Sequence, residues 1–540
     1  MELLSGNEAI AQGAWEAGAH IGAAYPGTPS TETMEAFAAK SGVYAEWSPN
    51  EKVALEVGIG ASCAGARVLS TMKHVGVNVA ADPLFTAAYT GVGGGLVILA
   101  ADDPGMHSSQ NEQDSRFYAL AAHVPMFEPA CSQEALDHTK AAFELSERFN
   151  IPFFIRSTVR ISHTKTPVIT GPRKQVEVRP YKKDIKSWVM MPAFAKGRRL
   201  DLDRRLEKLG QWVEHCEYNE VHKGSTEIGI ICAGAVYQYV KEAMPQASIF
   251  KLGISYPLPK NALRDFANSV QNCYVVEEAS DYFSTQIAAL GIRLSQVPGT
   301  ALPIYGELNP RLISQAFGIE VPQHESVMEG IPMRPPALCR GCPHIHVFEE
   351  FNRIGAIVTG DIGCYTLGAL PPYSGMDTVV DMGASISMAH GFELAMKGDS
   401  HKPVIGVIGD STFAHSGITS LMNTVYNQGC GTICILDNRT TGMTGQQGNP
   451  FNGITLQNRP TVEMDIEKIV AAIGVEHIQT VNPNKVSDVR ESIANAVSYE
   501  GISVVVFRSP CVLLKGDKKP QAKPAKTCIY AGNREGDNCE

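Results

Sequence analysis

The stretch that decides the fold of this chain is GDSTFAHSGITSLMNTVYNQGCGTICILDNRTTGMTG, residues 409–445. The apolar run 404–408 before it is typical of a buried strand, and residues 432–436 within it are typical of a second one. A helical pattern lies between the two. The sequence therefore predicts two neighbouring parallel strands, with Asp410 at the end of the first and Asn438 at the end of the second.

Oxygen ligands follow both predicted strands. A divalent cation that holds a diphosphate prefers hard oxygen ligands on a rigid frame, and Asp410, the Asn438 amide and a carbonyl near Thr440 would supply them. Gly409 would let the backbone approach the phosphates, and Ser411 completes the motif GD-(S/G). This motif, followed by Asn, is typical of a site for thiamine diphosphate (ThDP) and Mg²⁺. An ordinary βαβ unit with an Asp helix cap is the alternative.

Composition excludes several classes of protein. The net charge of −10 argues against nucleic-acid binding, because proteins that bind nucleic acid usually present a basic surface to the phosphates. No apolar run reaches the roughly 18 residues that span a bilayer, and the N-terminus lacks the cationic region of a signal peptide. Thirteen cysteines in a chain without an export signal indicate metal or redox chemistry in a reducing compartment. We therefore expect a cytoplasmic protein that binds neither membranes nor nucleic acid.

Periodicity divides the chain into blocks. Short apolar strands alternate with helical patterns, which is typical of parallel sheets covered by helices on both faces. We expect a multidomain α/β fold. The predicted segments are an α/β block at 1–165, a charged linker with a solvated helix at 166–225, α/β blocks at 226–330 and 331–515, and a mobile polar tail at 516–540.

Two separate α/β blocks suit a ThDP enzyme, because one would bind the pyrimidine ring and the other the diphosphate. A carboxylate that hydrogen-bonds the pyrimidine assists the cofactor's chemistry. Glu51 opens a predicted helix after a loop and is our candidate, with Glu56 as its rival. A capping or solvated Glu is the alternative for either residue.

Two polar loops follow strands of the first block. Thr28, in YPGTPS at 25–30, could reach a substrate carboxylate or the cofactor, although a plain turn with a Ser cap fits as well. The segment 102–116 directly follows a strand, and ligands of open α/β sheets bind beyond such strand ends. A solvated loop is an equal alternative for this segment.

Four cysteines are a second signal: Cys339 and Cys342 form a CxxC, and Cys364 and Cys511 lie in the same block. Four thiolates could hold a [4Fe–4S] cluster, while zinc or a redox dithiol are the rivals. We favour the cluster because it can accept electrons beside ThDP, whereas zinc is inert. Six further cysteines lie in apolar runs and are predicted to be core residues: Cys63, Cys131, Cys232, Cys273, Cys430 and Cys434.

Collinear motifs extend over about residues 3–515: GNEAIAQGAWEAG, AAYPGTPS, NEKVALEVGIGAS, TMKHVGVNVAADP, ADDPGMHSSQNEQDSR, CRGCPH, TGDIGCYTLGALPP, MGASI, GDSTFAHSGI and DNRTTGMTG. With these motifs the chain resembles the alpha subunits of the indolepyruvate ferredoxin oxidoreductases, in the 2-oxoacid:ferredoxin oxidoreductase superfamily. The resemblance implies a pyrimidine-binding domain at 1–165, a transketolase-C-terminal-like domain at 226–330 and a diphosphate-binding domain at 331–515.

The resemblance also implies an activity and its residues. The family oxidatively decarboxylates arylpyruvates with CoA to aryl-acetyl-CoA and CO₂ and passes electrons to ferredoxin. Glu51 would activate ThDP, and Thr28, His74 and Arg116 would be further catalytic residues. Gly409, Asp410, Ser411, Asn438, Thr440 and Met443 would bind the cofactor, with Asp410, Asn438 and the Thr440 carbonyl on Mg²⁺. Cys339, Cys342, Cys364 and Cys511 would bind the [4Fe–4S] cluster. Met443 stands where pyruvate-using relatives have Asn, which favours a bulky aromatic substrate.

The family needs a smaller beta subunit and assembles as a dimer of heterodimers. One departure concerns the C-terminus: family members usually end in a ferredoxin-like domain with two CxxCxxCxxxCP runs, whereas this chain has only Cys528 and Cys539 there. We therefore expect electrons to leave toward another polypeptide or a segment not contained in the chain. There are two competing hypotheses. One is a non-oxidative ThDP decarboxylase or carboligase with a structural zinc. The other is an inactive scaffold, which the presence of Glu51, Asp410 and Asn438 argues against.

Overall fold

The structure is a computed structural model that describes residues 1–321, 330–332, 335–396 and 402–514. It divides into two compact units, Met1–Pro332 and Met333–Glu540. The boundary predicted at 331 lies close to this division, and the boundaries at 165 and 225 stay predictions. The polar tail predicted at 516–540 lies outside the described residues.

The first unit is an α/β assembly. Its strands are β1 (Glu2–Ser5), β2 (Ile21–Ala24), β3 (Tyr44–Trp47), β4 (Val68–Lys73), β5 (Leu96–Asp102), β6 (Met126–Phe127), β7 (Phe153–Thr158), β8 (Lys165–Val168), β9 (Glu220–His222), β10 (Ser225–Ala233), β11 (Ala247–Leu252), β12 (Ile254–Tyr256) and β13 (Asn272–Val275). Its helices are α1 (Gly6–Glu16), α2 (Thr31–Ala38), α3 (Glu51–Cys63), α4 (His74–Val79), α5 (Ala81–Thr90), α6 (Ser115–Ala122), α7 (Ser132–Phe149), α8 (Val159–His163), α9 (Ile185–Trp188), α10 (Pro192–Val213), α11 (Ala235–Ala243), α12 (Lys260–Asn268), α13 (Tyr282–Ala289) and α14 (Pro310–Ala316).

The main sheet of this unit has the strand order β12-β6-β7-β5-β4-β2-β3. Its neighbours are parallel except for β12, which pairs antiparallel with β6 at the edge. Strands β4, β5 and β7 are buried along their whole length. Strands that helices cover on both faces of a sheet consist of continuous apolar runs. Such runs are visible in the sequence, and they allowed these strands to be predicted. The α/β fold class is confirmed.

The insert after this sheet differs from the prediction of a solvated helix. Helix α10 buries Leu202, Leu209 and Val213. Its Arg198 donates from Nε to the Tyr89 carbonyl at 2.9 Å, so the helix satisfies carbonyls at the end of α5. The charged sequence misled the prediction because the apolar positions that contact the sheet domain are few and widely spaced.

The first unit also contains a two-stranded antiparallel sheet of β1 and β8 and a four-stranded sheet with the order β13-β10-β11-β9. The four-stranded sheet contacts the main sheet through buried charges. Arg116 donates to Asp114 at 2.7 Å and to the Glu278 carbonyl at 2.8 Å. Arg156 donates to Asp102 and to Glu128, both at 2.7 Å. Because each buried arginine has carboxylate partners, these charges fix how the two sheets pack.

The second unit has one parallel sheet with the order β15-β14-β16-β17-β19-β18. Its strands are β14 (Ile357–Gly360), β15 (Thr378–Val379), β16 (Val404–Gly409), β17 (Gly431–Asp437), β18 (His477–Val481) and β19 (Ile502–Arg508). Its helices are α15 (Ile345–Ile354), α16 (Ala384–Met396), α17 (Asp410–Thr412), α18 (Ile418–Tyr426), α19 (Ile466–Ile473) and α20 (Val486–Ser498), with a 3₁₀ helix at Cys364–Ala369.

The stretch 409–445 folds as predicted. Strands β16 and β17 are parallel neighbours, with Val407 opposite Cys434. A π-helical turn at Phe413–Gly417 joins α17 to α18 between them; such turns are frequent at functional sites. One core assignment was wrong: Cys430 is exposed, since it precedes β17 in the connecting loop.

We predict a pH-dependent effect of Glu278→Gln on stability. Burial raises the pKa of Glu278 to about 7, and its Oε2 accepts the Leu308 N–H at 3.0 Å. A carboxyl whose pKa is raised on folding stabilises the fold fully below its unfolded pKa, and this contribution is lost as the pH rises through 7. Gln keeps the acceptor and never ionises. The variant should exceed the parent in free energy of unfolding at pH 8, by up to about 3 kcal/mol, and match it near pH 4.

Urea unfolding between pH 4 and 8 measures this difference. Glu242→Gln, at an exposed position on α11, is the matched control and should show no pH-dependent gain. A difference between Glu278→Gln and the parent that is constant across the pH range would contradict the prediction.

Candidate functional site

Glu51 is the first residue of α3 and is 3% exposed. The Asn50 side chain caps the helix by accepting the Val53 N–H at 2.9 Å. The Glu51 carboxylate lies against Gly76, where an added Cβ would come within 2.7 Å of Glu51 Oε1. Its rival Glu56 is exposed and pairs with Lys52. Burial at a helix start therefore favours Glu51 as the functional carboxylate.

Thr28 and His74 follow neighbouring strands of the main sheet, Thr28 in the loop after β2 and His74 as the first residue of α4 after β4. Thr28 is half-buried, and its carbonyl accepts the Ser108 hydroxyl at 3.4 Å. His74 is fully buried at the start of α4, with Nε2 at 3.0 Å from the Asn111 carbonyl. Its Nδ1 is buried without a hydrogen-bond partner. Burial lowers the pKa of His74, which favours the neutral imidazole. The catalytic roles of Thr28 and His74 stay predictions.

Lys73 was missed by the sequence analysis, although a charge closing an apolar strand is itself a signal. It ends β4 and is 8% exposed. Its Nζ donates to the Ser108 carbonyl at 2.8 Å. Burial lowers the pKa of Lys73 to about 8, and the carboxylates of Asp103 and Glu51 partly oppose this shift. An ammonium group therefore lies at the strand ends together with the Glu51 carboxylate.

Arg116 lies in the buried charge network between the main sheet and the four-stranded sheet of its unit. Its Nε contacts both carboxylate oxygens of Asp114, and its Nη1 lies 3.3 Å from Glu277 Oε2. The side chain is 2% exposed. Its catalytic role stays a prediction, but these partners leave the guanidinium little capacity to bind a substrate.

The diphosphate half of the predicted site lies in the second unit. Asp410 is 2% exposed, and its Oδ2 accepts from Asn449 Nδ2 at 3.0 Å. Asn438 Oδ1 accepts the Thr440 N–H at 3.0 Å and keeps a second lone pair. The structure thus places Asp410 and Asn438 at the ends of adjacent strands. Asn449 was missed, because a residue so far along the chain reaches Asp410 only through the folded loop.

The charges at this strand end fit a bound cation. Asp437 is buried and pairs with Arg508 at 2.6 Å and Arg439 at 3.4 Å. Asp410 makes no ion pair within the described part of the chain. Burial and the neighbouring Asp437 charge raise the pKa of Asp410, while Asn449 partly opposes this. A divalent cation would offset this uncompensated carboxylate, and the donors are the hard oxygens that Mg²⁺ prefers.

The remaining residues of the predicted loop are placed as follows. Ser411 is buried, and its Oγ accepts from Thr441 Oγ1 at 2.9 Å. Thr440 is buried and donates from Oγ1 to the Gln447 carbonyl at 3.1 Å. Met443 is 51% exposed. At Gly409 an added Cβ would come within 2.7 Å of the Tyr365 ring, so packing also requires glycine there, and the predicted approach of its backbone to phosphates stays a prediction.

The four predicted cysteine ligands come together in the second unit. Burial, and then the like charges of Cys511, Cys339 and Cys342, raise the pKa of the Cys364 thiol to about 11. The Cys511 N–H donates to the Asn438 carbonyl at 3.0 Å. The Cys364 Sγ lies 3.2 Å from where a Cβ on Gly442 would be. Cys511 is therefore hydrogen-bonded through its backbone to Asn438, and the Cys364 thiol lies beside Gly442 in the loop that follows Asn438.

These thiols are not spaced for a single metal ion. Among the described residues, no group of three or more His, Cys, Asp or Glu side chains could hold one. Four thiolates on one zinc would lie about 3.8 Å apart, because each Zn–S bond is about 2.3 Å long. Both the cluster and the zinc alternative for these thiols therefore stay predictions.

Comparison with known families gives two matches, one in each unit of the chain. Residues 12–199 match the family described as pyruvate flavodoxin/ferredoxin oxidoreductase, thiamine diP-bdg. Residues 361–507 match the family described as thiamine pyrophosphate enzyme, C-terminal TPP binding domain. The first match contains Glu51 and Lys73, and the second contains Asp410 and Asn438.

Three archaeal relatives are each named indolepyruvate oxidoreductase subunit IorA. The relative from Archaeoglobus fulgidus is 40% identical over 95% of this chain and 86% of its own length. The relative from Thermococcus kodakarensis is also 40% identical, with the same coverage. The relative from Methanothermobacter marburgensis is 39% identical over 95% of this chain and 87% of its own length.

The chain belongs to the indolepyruvate oxidoreductase alpha-subunit family. It is thus a member of the ThDP-dependent 2-oxoacid:ferredoxin oxidoreductases, and the predicted family is confirmed. Its two ThDP-binding domains lie in separate units of the structure. In the part of the chain that the structure describes, every helix is too short or too polar to cross a lipid bilayer.

We predict that Asp410→Asn weakens ThDP binding in the presence of Mg²⁺ by more than roughly 100-fold, because it removes a charged ligand. Asn449→Ala removes only the residue that orients Asp410 and should cost about 10- to 100-fold. Calorimetric titration of cofactor-free protein with ThDP at fixed Mg²⁺ measures both effects. Asp488→Asn, at a partly exposed carboxylate on α20, should bind as the parent does. Unchanged affinity in Asp410→Asn would contradict the assignment.

Proposed function

We propose that this chain is the ThDP-binding subunit of an enzyme that oxidatively decarboxylates an aryl 2-oxoacid. The 2-oxoacid and CoA would give aryl-acetyl-CoA, CO₂, a proton and an electron pair, and the electrons would pass through a [4Fe–4S] cluster to ferredoxin. The observation that supports this most directly is the position of two proposed cluster ligands beside the loop of Asn438: the Cys511 N–H donates to the Asn438 carbonyl, and the Cys364 thiol lies against Gly442. The proposed electron acceptor would then lie beside the loop that holds the proposed Mg²⁺ ligand Asn438.

Each half-site would contribute defined groups. When bound, ThDP supplies the nucleophilic carbon that attacks a 2-oxoacid carbonyl. Glu51 would hydrogen-bond the pyrimidine ring and favour loss of the thiazolium proton. Asp410, Asn438 and the Thr440 carbonyl would hold Mg²⁺ on the diphosphate. The burial of Glu51 and the uncompensated charge of Asp410 support these roles.

An aromatic substrate is supported by two observations. The relatives that match over 95% of the chain are named for indolepyruvate. Met443 presents a half-exposed thioether on the loop after Asn438, and such a soft side chain contacts aromatic rings favourably. We therefore propose an arylpyruvate as substrate.

The proposal includes partners. The relatives are named as subunits, and we infer that this chain also pairs with a smaller subunit in a dimer of heterodimers. Ferredoxin is the proposed electron acceptor, and the cytoplasm is the proposed compartment. The alternative of a non-oxidative decarboxylase with a structural zinc is less well supported, because the relatives that match over 95% of the chain are named oxidoreductase subunits.

We predict that the anaerobically purified complex reduces ferredoxin when supplied with an arylpyruvate and CoA. Indolepyruvate or phenylpyruvate should give a kcat/KM at least tenfold above that for pyruvate or 2-oxoglutarate, because one buried methylene alone is worth about that factor. Reactions without CoA are the control. Release of CO₂ and an aldehyde without reduction of ferredoxin would contradict the oxidative function and support the alternative.

We predict that Cys364→Ser loses most cluster iron and the EPR signal of the reduced state, because it removes one of the four proposed ligands. The parent should contain about four iron atoms per chain in this cluster. Cys430→Ser, at an exposed cysteine outside the quartet, is the matched control and should retain the iron. Stoichiometric zinc without iron in anaerobic preparations of the parent would overturn the assignment.

A further inference from the structure

Lys73 differs from the other buried cations of the protein. In the described ranges, the buried Lys and Arg side chains are Arg67, Lys73, Arg116, Arg156 and Lys251. Four of them have a carboxylate oxygen within 2.8 Å. Lys73 alone has none within the 4 Å limit of an ion pair. Its ammonium is thus buried without the counter-ion that each of the others has.

The surroundings of Lys73 explain why none of the described carboxylates pairs with it. The nearby Asp103 accepts hydrogen bonds within its own loop, from Ser109 Oγ at 2.6 Å and from the Ser108 N–H at 2.8 Å. Glu51 lies against Gly76 instead. The ammonium therefore donates only to the Ser108 carbonyl, which leaves two of its three donors for a ligand.

The position of Lys73 is that of a ligand-binding residue. It closes β4, and its stem lies against Gly27, where an added Cβ would come within 3.2 Å of Lys73 Cδ. Gly27 precedes Thr28 in the loop after β2. Glu51 begins α3 after β3, so three neighbouring strands bring these residues to one edge of the sheet. Ligands of parallel sheets bind at this edge.

Burying an unpaired charge is costly, so buried ammonium groups are normally paired with an anion. We propose that the ammonium of Lys73 binds the carboxylate of the 2-oxoacid substrate. Lys73 has this capacity and Arg116 does not, because the guanidinium of Arg116 already has Asp114, Glu277 and the Glu278 carbonyl as partners. This inference rests on the proposed function and specifies which residue of the site recognises the substrate's charge.

Two other roles of Lys73 make different predictions. A lysine that only holds the Ser108 loop would affect every ligand of the site alike. A lysine that binds a phosphate of CoA would affect the KM for CoA. Only a direct contact with the substrate carboxylate would distinguish ligands that have this group from those that lack it.

The test compares the parent holoenzyme complex with Lys73→Met, which removes the charge and keeps much of the volume. The ligands are phenyllactate and 3-phenylpropane-1,2-diol, which differ only by a carboxylate against a hydroxymethyl group. Binding is measured by calorimetry without turnover. In Lys73→Met the affinity for phenyllactate should fall about 10- to 100-fold, as for a lost charge-assisted hydrogen bond, and that for the diol should change less than threefold.

Kinetics give a second readout. The KM for phenylpyruvate should rise by a similar factor in Lys73→Met, while the KM for CoA and the affinity for ThDP stay within threefold of the parent. Lys52→Met removes an exposed lysine beside Glu51 and is the matched control for loss of charge at a distance. Its values should equal those of the parent. Lys73→Gln, which keeps a polar group at the buried position, replaces Lys73→Met if that variant does not fold.

An equal loss for phenyllactate and the diol, or a rise in KM for CoA alone, would overturn the role of Lys73. So would unchanged affinity for phenyllactate. Failure of the parent to turn over any arylpyruvate would instead contradict the proposed function, and the calorimetric comparison separates the two cases because it requires no turnover.

Discussion

The candidate cofactor site of the second unit depends on one constraint: two buried carboxylates lie at the ends of adjacent parallel strands, and their negative charges must be neutralised. Strands β16 and β17 bring Asp410 and Asp437 to one edge of the sheet. Asp437 is neutralised by Arg508 from β19 and by Arg439. Among the described residues, Asp410 forms no ion pair, and its side chain accepts a hydrogen bond from the neutral Asn449. The two arginines thus pair with Asp437, and Asp410 is the carboxylate for which we propose a bound cation.

The same strand ends also support the cysteine quartet. The loop after β17 begins at Asn438. The Asn438 carbonyl accepts the Cys511 N–H, and Gly442 of the same loop lies against the Cys364 thiol. A shift of this loop would therefore move two of the proposed Mg²⁺ ligands, Asn438 and Thr440, together with the surroundings of two proposed cluster ligands. In the other unit, Glu51 and Lys73 lie at one sheet edge, since β3 and β4 both flank β2. In both units, the candidate residues lie at or directly after the ends of parallel strands.

Much of this could be predicted from local patterns. Continuous apolar strands, the residues directly after them and the CxxC are visible along the chain, and these patterns made Glu51, Asp410, Asn438 and the four cysteines candidates. Their positions at strand ends could be predicted in this way, and their roles stay predictions. Asn449 and the Tyr365 ring against Gly409 could not be predicted, because only the folded chain makes these contacts. Helix α10 was misjudged since three buried apolar residues are hidden among many charges. The role of Lys73 could not be predicted, because the sequence does not show that this lysine is buried and that none of the described carboxylates forms an ion pair with it.

The position of Cys511 has a consequence for biogenesis. Cys339, Cys342 and Cys364 leave the ribosome well before Cys511, which follows the last strand, β19. That strand lies between β17 and β18 in the sheet, so the sheet has a gap until it is synthesised. Three of the four proposed cluster ligands are therefore synthesised before the sheet can be completed. Iron–sulfur insertion would then occur only after translation of the domain is finished. A nascent chain stalled before β19 would lack the fourth ligand and would remain without its cluster.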